Sequence, residues 1–132
     1  MDMQRWDATL GHIGIPTGDL EGSIAFYQGL GFSLAWRSED GGVAFVELGS
    51  LMLELYPGAK PCGKAGAIDH MAISVSDIEA VYTAVSAGGY TLLDDGVRAL
   101  PFWAHGIRFF SILGPNGEIL EFCQRLGREE NP

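Results

Sequence analysis

The chain has 132 residues, of which 47% are apolar and 19 are glycine, enough for one packed domain or two small halves sharing a core. Seventeen acidic residues against eight basic ones give a net charge of −9, which argues against nucleic acid and anionic membrane surfaces as partners. No apolar run reaches the ~18 residues that a membrane-spanning helix needs.

The opening residues Met1-Asp2-Met3-Gln4-Arg5-Trp6-Asp7 lack the basic and apolar regions of a signal peptide, so a cytoplasmic location is expected. Residues from about 8 to 16 predict a strand with Leu10, His12 and Gly14 on one face and Ile13 and Ile15 on the other. Asp19 is placed to cap a helix whose stripe is Leu20, Ile24 and Tyr27, with Gly29 and Gly31 at its exit. A short strand, Phe32 to Arg37, and a turn at Asp40-Gly41-Gly42 follow. Val43 to Leu48 and Leu51 to Tyr56 then predict a hairpin around Gly49-Ser50. Pairing Leu48 with Leu51 sets Phe45 opposite Glu54, on a face with Glu47, Met52 and Tyr56. The other face, Val46, Leu48, Leu51, Leu53 and Leu55, needs a helix over it.

Residues 57–67 read as a linker, after which the order restarts. The strand Ile68 to Val75 carries His70, Ala72 and Ser74 on one side. Ser76 and Glu79 fit a capping box for a helix with the stripe Ile78, Val81, Tyr82 and Val85, ended by Gly88-Gly89. Tyr90 to Asp94 predicts a short strand, and a longer connection runs from Asp95 to Gly106. A last hairpin joins Ile107–Leu113 to Glu118–Gln124 through Gly114-Pro115-Asn116-Gly117, and pairing Leu113 with Glu118 would set Phe110 opposite Glu121. Residues 125–132 read as a polar tail. The expected class is α+β: two tandem β-α-β-β-β modules, about 8–56 and 68–125, in a single domain. Their strands would form a curved mixed sheet around a metal cleft.

The duplication places chemistry symmetrically. His12 and His70, like Asp19 and Asp77, are separated by the same 58 residues. A lone histidine in a strand is usually a hydrogen-bonded core residue. A glutamate in Leu-Met-Leu-Glu54-Leu-Tyr is harder to dismiss, because a buried carboxylate must meet water, a base or a cation. Glu121 occupies the same kind of place in Glu-Ile-Leu-Glu-Phe-Cys. Strand alternation puts His12, Glu54, His70 and Glu121 on helix-free faces, a set that suits one divalent Zn, Ni, Co, Mn or Fe better than Ca. Phe45, Met52 and Phe110 are expected to wall a substrate pocket, joined by Phe102 and Trp103 from the long connection. His105, in that connection, reads more simply as an exposed or loop-packing residue. Cys62 and Cys123 lack zinc or redox spacing and read as free thiols. Arg37, Arg98 and Arg108 could meet an anionic substrate, although single arginines are usually solvated.

Gly11-His12-Ile13-Gly14-Ile15, Asp19 to Tyr27 and Leu30-Gly31-Phe32 resemble the opening of the vicinal oxygen chelate superfamily. Asp69 to Val75 and Gly114 to Phe122 resemble its second-half signatures. The resemblance covers about residues 8 to 125, and it is nearest to glyoxalase I-like members. It implies that His12, Glu54, His70 and Glu121 match the four metal positions one for one, and that the chain forms a homodimer. It also implies isomerisation of a 2-oxoaldehyde thiol hemithioacetal through a cis-enediolate, with Glu54 or Glu121 moving the proton and a lean towards Glu121. An epimerase or other enolate-forming enzyme, and a metal-free drug-binding protein of the same fold, remain the alternatives.

Overall fold

The computed structural model describes residues 1–57, 63–66 and 68–127. The chain divides into two compact units, Met1–Pro61 and Cys62–Pro132, and its class is mixed α+β. The linker expectation falls largely outside the described residues, as does Cys62. None of the described helices is long and apolar enough to cross a membrane.

The first unit has a short 3-10 turn, Met3–Trp6, then β1 (Ile13–Pro16), α1 (Leu20–Gly29), β2 (Ser33–Arg37), β3 (Ala44–Leu48) and β4 (Leu51–Tyr56). Its sheet runs β1-β4-β3-β2, with β1 parallel to β4 and the other pairs antiparallel. The first strand begins at Ile13 rather than near residue 8. It pairs with β4 from Ile13↔Leu53 to Pro16↔Tyr56, and β4 starts at Leu51, so residues 8–10 have no facing backbone. The Asp19 carboxylate accepts the Gly22 N–H at 3.0 Å, capping α1 as its position predicts. Helix α1 lays Ile24 and Tyr27 over the expected apolar row, where Val46, Leu53 and Leu55 are fully buried. Each such side chain contributes ~1.5–3 kcal/mol of transfer free energy. Ser23 is buried there too, its hydroxyl 2.8 Å from that of Thr17.

The second unit contains β5 (Met71–Ser74), α2 (Ile78–Ala87), β6 (Thr91–Leu92), β7 (Arg98–Leu100), β8 (Ile107–Leu113) and β9 (Ile119–Arg125). The sheet order is β5-β9-β8-β6, with β7 also on β8. Where β2 alone flanks the first hairpin, two short strands flank the second, and β7 lies inside the segment expected to be a connection. Asp94 accounts for the break. Its carboxylate accepts the Ser111 N–H at 2.8 Å, replacing the backbone carbonyl that an unbroken edge strand would offer. The cap of α2 is Asp77, accepting the Ala80 N–H at 3.1 Å, and not Ser76. It repeats the role of Asp19 at the 58-residue interval and is worth ~1 kcal/mol.

The two hairpins differ in one respect that matters for the site. In the first, Leu48↔Leu51 and Phe45↔Glu54 pair as expected. In the second, Leu113 pairs with Ile119 and not with Glu118. The turn is a three-residue loop, Pro115-Asn116-Gly117, closed by the Gly114 N–H donating to the Glu118 carbonyl at 2.7 Å. Gly117 takes φ +86°, the left-handed position that such a loop needs. The register therefore slips by one residue. Phe110 lies opposite Phe122, and Ser111 takes the place across from Glu121.

Candidate metal centre

His12 and His70 occupy the same position in their units, one residue before the first residue of β1 and β5. Neither lies inside a strand, as alternation had placed it. Each is half exposed and faces the glutamate of the parallel-paired strand. His12 Nε2 stands 3.5 Å from Glu54 Oε1, and His70 Nε2 stands 3.8 Å from Glu121 Oε1.

These distances bear on what each pair is for. A charge-assisted N–H···O bond closes to ~2.7–2.9 Å, so neither pair is drawn together as one. Two donors held by a single ion at ~2.1 Å stand ~3.0–3.4 Å apart at octahedral to tetrahedral angles, near the spacing of the first pair and shorter than that of the second. One imidazole nitrogen and one carboxylate oxygen per unit also match the donor chemistry of the expected ions. Each pair therefore offers two donors of the kind that a divalent transition metal takes. Among the described residues no three or more His, Cys, Asp or Glu side chains gather into a metal-holding group.

The surroundings of the two pairs differ. In the first unit a row across the sheet reads Trp36, Phe45, Glu54, Gly14. The Phe45 ring meets His12 edge-on, 5.4 Å between centroids at 83°, and meets Trp36 at 6.0 Å. A Cβ on Gly14 would stand 3.2 Å from the Tyr56 ring and 3.8 Å from Glu54 Oε1, so glycine leaves this carboxylate room. Met52 shares the face, opposite Glu47. In the second unit the corresponding row is Ala72, Glu121, Ser111, small and polar where the first is aromatic.

Phe110 does not wall this face. The register slip turns it to the helix side, where it is fully buried, stacked on Phe122 at 5.2 Å and edge-on to Tyr82 of α2 at 5.1 Å. Phe109 takes the Glu121 side instead, opposite Cys123. Phe102 and Trp103 are exposed. Trp103 has φ +63°, uncommon for a bulky residue, and its ring lies 3.8 Å from the Arg125 guanidinium carbon. Arg125 shares the Glu121 face of β9, ~13 Å further along at ~3.3 Å per residue. His105 is exposed.

The three arginines expected near an anionic substrate are engaged with carboxylates: Arg37 with Glu21, Arg98 with Asp94 and Arg108 with Glu79. Cys123 is half-buried beside Glu121. Burial, and secondarily the Glu121 charge, push its thiol above the usual range, which fits packing and not nucleophilic chemistry. Sequence reasoning missed Asp69, whose carboxylate stands 2.8 Å from His70 Nδ1. The acidic residue immediately before a candidate ligand was the available signal.

Two modules of this kind, each closing a histidine at a strand mouth onto a glutamate of the neighbouring strand, define a recognisable class of small α+β protein. The sequence pattern of the Glyoxalase/Bleomycin resistance protein/Dioxygenase superfamily matches residues 9–122, and the chain belongs to that superfamily. It is 33% identical to the uncharacterized protein YwbC of Bacillus subtilis (strain 168) over 129 residues, covering 86% of this chain and 95% of YwbC. Among solved structures it resembles a glyoxalase/bleomycin resistance protein/dioxygenase from Nocardioides. The TM-score is 0.74 at 23% identity, over 95% of this chain and 88% of that one. It also resembles the lactoylglutathione lyase of Agrobacterium tumefaciens, with a TM-score of 0.67 at 20% identity, over 92% of this chain and 98% of that one. At these identities the structural likeness speaks for the fold.

Proposed function

We propose that the chain is a metal-dependent enzyme of its superfamily that isomerises a 2-oxoaldehyde thiol hemithioacetal to a thioester, the glyoxalase I type of reaction. His12, Glu54, His70 and Glu121 would hold the ion. The observation that carries the reading is the duplicated His–Glu pair, with a carboxylate in both units. A divalent ion held there would supply Lewis-acid stabilisation of the negative charge that develops on the substrate.

The chain's own residues do the rest. Moving a proton between adjacent carbons calls for a carboxylate that gives and takes it within reach of both. Glu121 is the stronger candidate, with a side chain 18% exposed against 29% for Glu54, so fewer waters compete for its proton. Phe45 and Met52 share the Glu54 face and give an apolar substrate portion something to rest on. Trp103 and Phe102 are further candidates for that role, and a homodimer is the expected assembly.

The experiment is direct. Purified chain reconstituted with Ni, Co or Zn is given methylglyoxal and glutathione, and thioester formation is followed in the ultraviolet. Metal-dependent thioester is the expected result. A metal-loaded protein that forms none removes the lyase reading and leaves the epimerase type, tested by exchange of a substrate C–H proton with solvent deuterium.

A further inference from the structure

We infer that Asp69 is a positioning residue that fixes the His70 ring for metal binding, and that the second module is the pre-organised half of the ligand set. The inference rests on the reading of His70 and Glu121 as ligands. Asp69 Oδ2 stands 2.8 Å from His70 Nδ1, and a carboxylate accepts hydrogen bonds, so the ring nitrogen is the donor. In the neutral ring Nδ1 then carries the hydrogen and Nε2 keeps its lone pair. Nε2 is the nitrogen that faces Glu121. One contact thus selects the tautomer a metal needs and aims it at the partner carboxylate.

The first module has no counterpart. Gly11 precedes His12 where Asp69 precedes His70, and among the described residues no side chain hydrogen-bonds His12 Nδ1. Its ring is held by edge-on packing against Phe45, which constrains orientation and leaves both tautomers open. The asymmetry is therefore built into the duplicated sequence. The Asp69 side chain is 73% exposed and the His70 side chain 44% exposed. An exposed pair of this kind adds little to folding stability, so its consequence lies in orientation.

The test uses the full chain and two readouts. Ni or Co affinity is measured by titration for wild type, Asp69→Ala and Asp69→Asn, and the histidine ring nitrogens are observed by NMR in metal-free protein. Wild type should hold His70 as the Nδ1–H tautomer. Asp69→Ala should lose that preference and weaken affinity by ~10–100-fold with thermal stability unchanged. Asp69→Asn retains a carbonyl acceptor and should fall between the two. Wild-type uptake with equal affinity in Asp69→Ala overturns the inference alone. A wild-type chain that takes up no ion overturns the metal reading itself and the inference with it.

Discussion

Glu121→Gln should lower turnover by ~10²–10⁴-fold, the usual weight of a positioned general acid–base group. The substitution keeps the size of the side chain and most of its hydrogen bonding while removing the charge and the transferable proton. Glu121 sits mid-strand on β9, between β5 and β8, paired across to Ala72 and Ser111, so the amide has a fixed place to occupy. Glu54→Gln should also lose turnover, because Glu54 holds the equivalent place between β1 and β3. One of the two variants should retain metal, which separates the carboxylate needed mainly to hold the ion from the one that moves the proton. The measurements are kcat/KM and bound metal on the same preparations. Full turnover in both variants would remove the proton-transfer role from these residues.

Phe110→Ala should destabilise the fold by ~3–5 kcal/mol, the range for an aromatic side chain deleted from a packed interior. Phe110 is fully buried between Phe122 and Tyr82, and α2 closes over it. The loss combines transfer free energy, a residual cavity and two ring contacts. In urea unfolding the midpoint should drop with the slope unchanged, which marks a change in stability and not in the denatured state. Phe45→Ala is the contrast. Phe45 lies partly exposed on the Glu54 face beside His12, so its truncation should cost less stability. A Phe110→Ala protein of wild-type stability would mean that the second hairpin pairs as its sequence first suggests, with Phe110 beside Glu121.

Most of the architecture could be read from residues because the period-2 alternation and the capping carboxylates recur at one interval. Phe45↔Glu54 came from a two-residue turn whose length leaves no choice of register. Phe110 was misplaced because Gly-Pro-Asn-Gly fits a four-residue or a three-residue loop equally well. The choice rests on Gly117 taking positive φ and on a backbone bond from Gly114 to Glu118. Asp94 likewise split an edge strand through a side-chain contact seventeen residues away, which no local pattern encodes. Among the candidate site residues, Glu54 stood out as a carboxylate without a neighbouring base, and Glu121 by its matching place in the second repeat. The histidines were legible by their repetition, although they lie at the strand mouths and not within them. Asp69 escaped notice because a charged residue beside a strand is ordinary until its distance to a ring nitrogen is known.

Whether His12, Glu54, His70 and Glu121 serve a single ion, as proposed, is decided by the metal stoichiometry of the purified chain and of His12→Ala and His70→Ala. One Ni, Co or Zn ion per chain and loss of tight binding in either variant are expected, because each unit would supply half of the proposed ligands. No uptake by the wild-type chain, or binding that survives both substitutions, would contradict it.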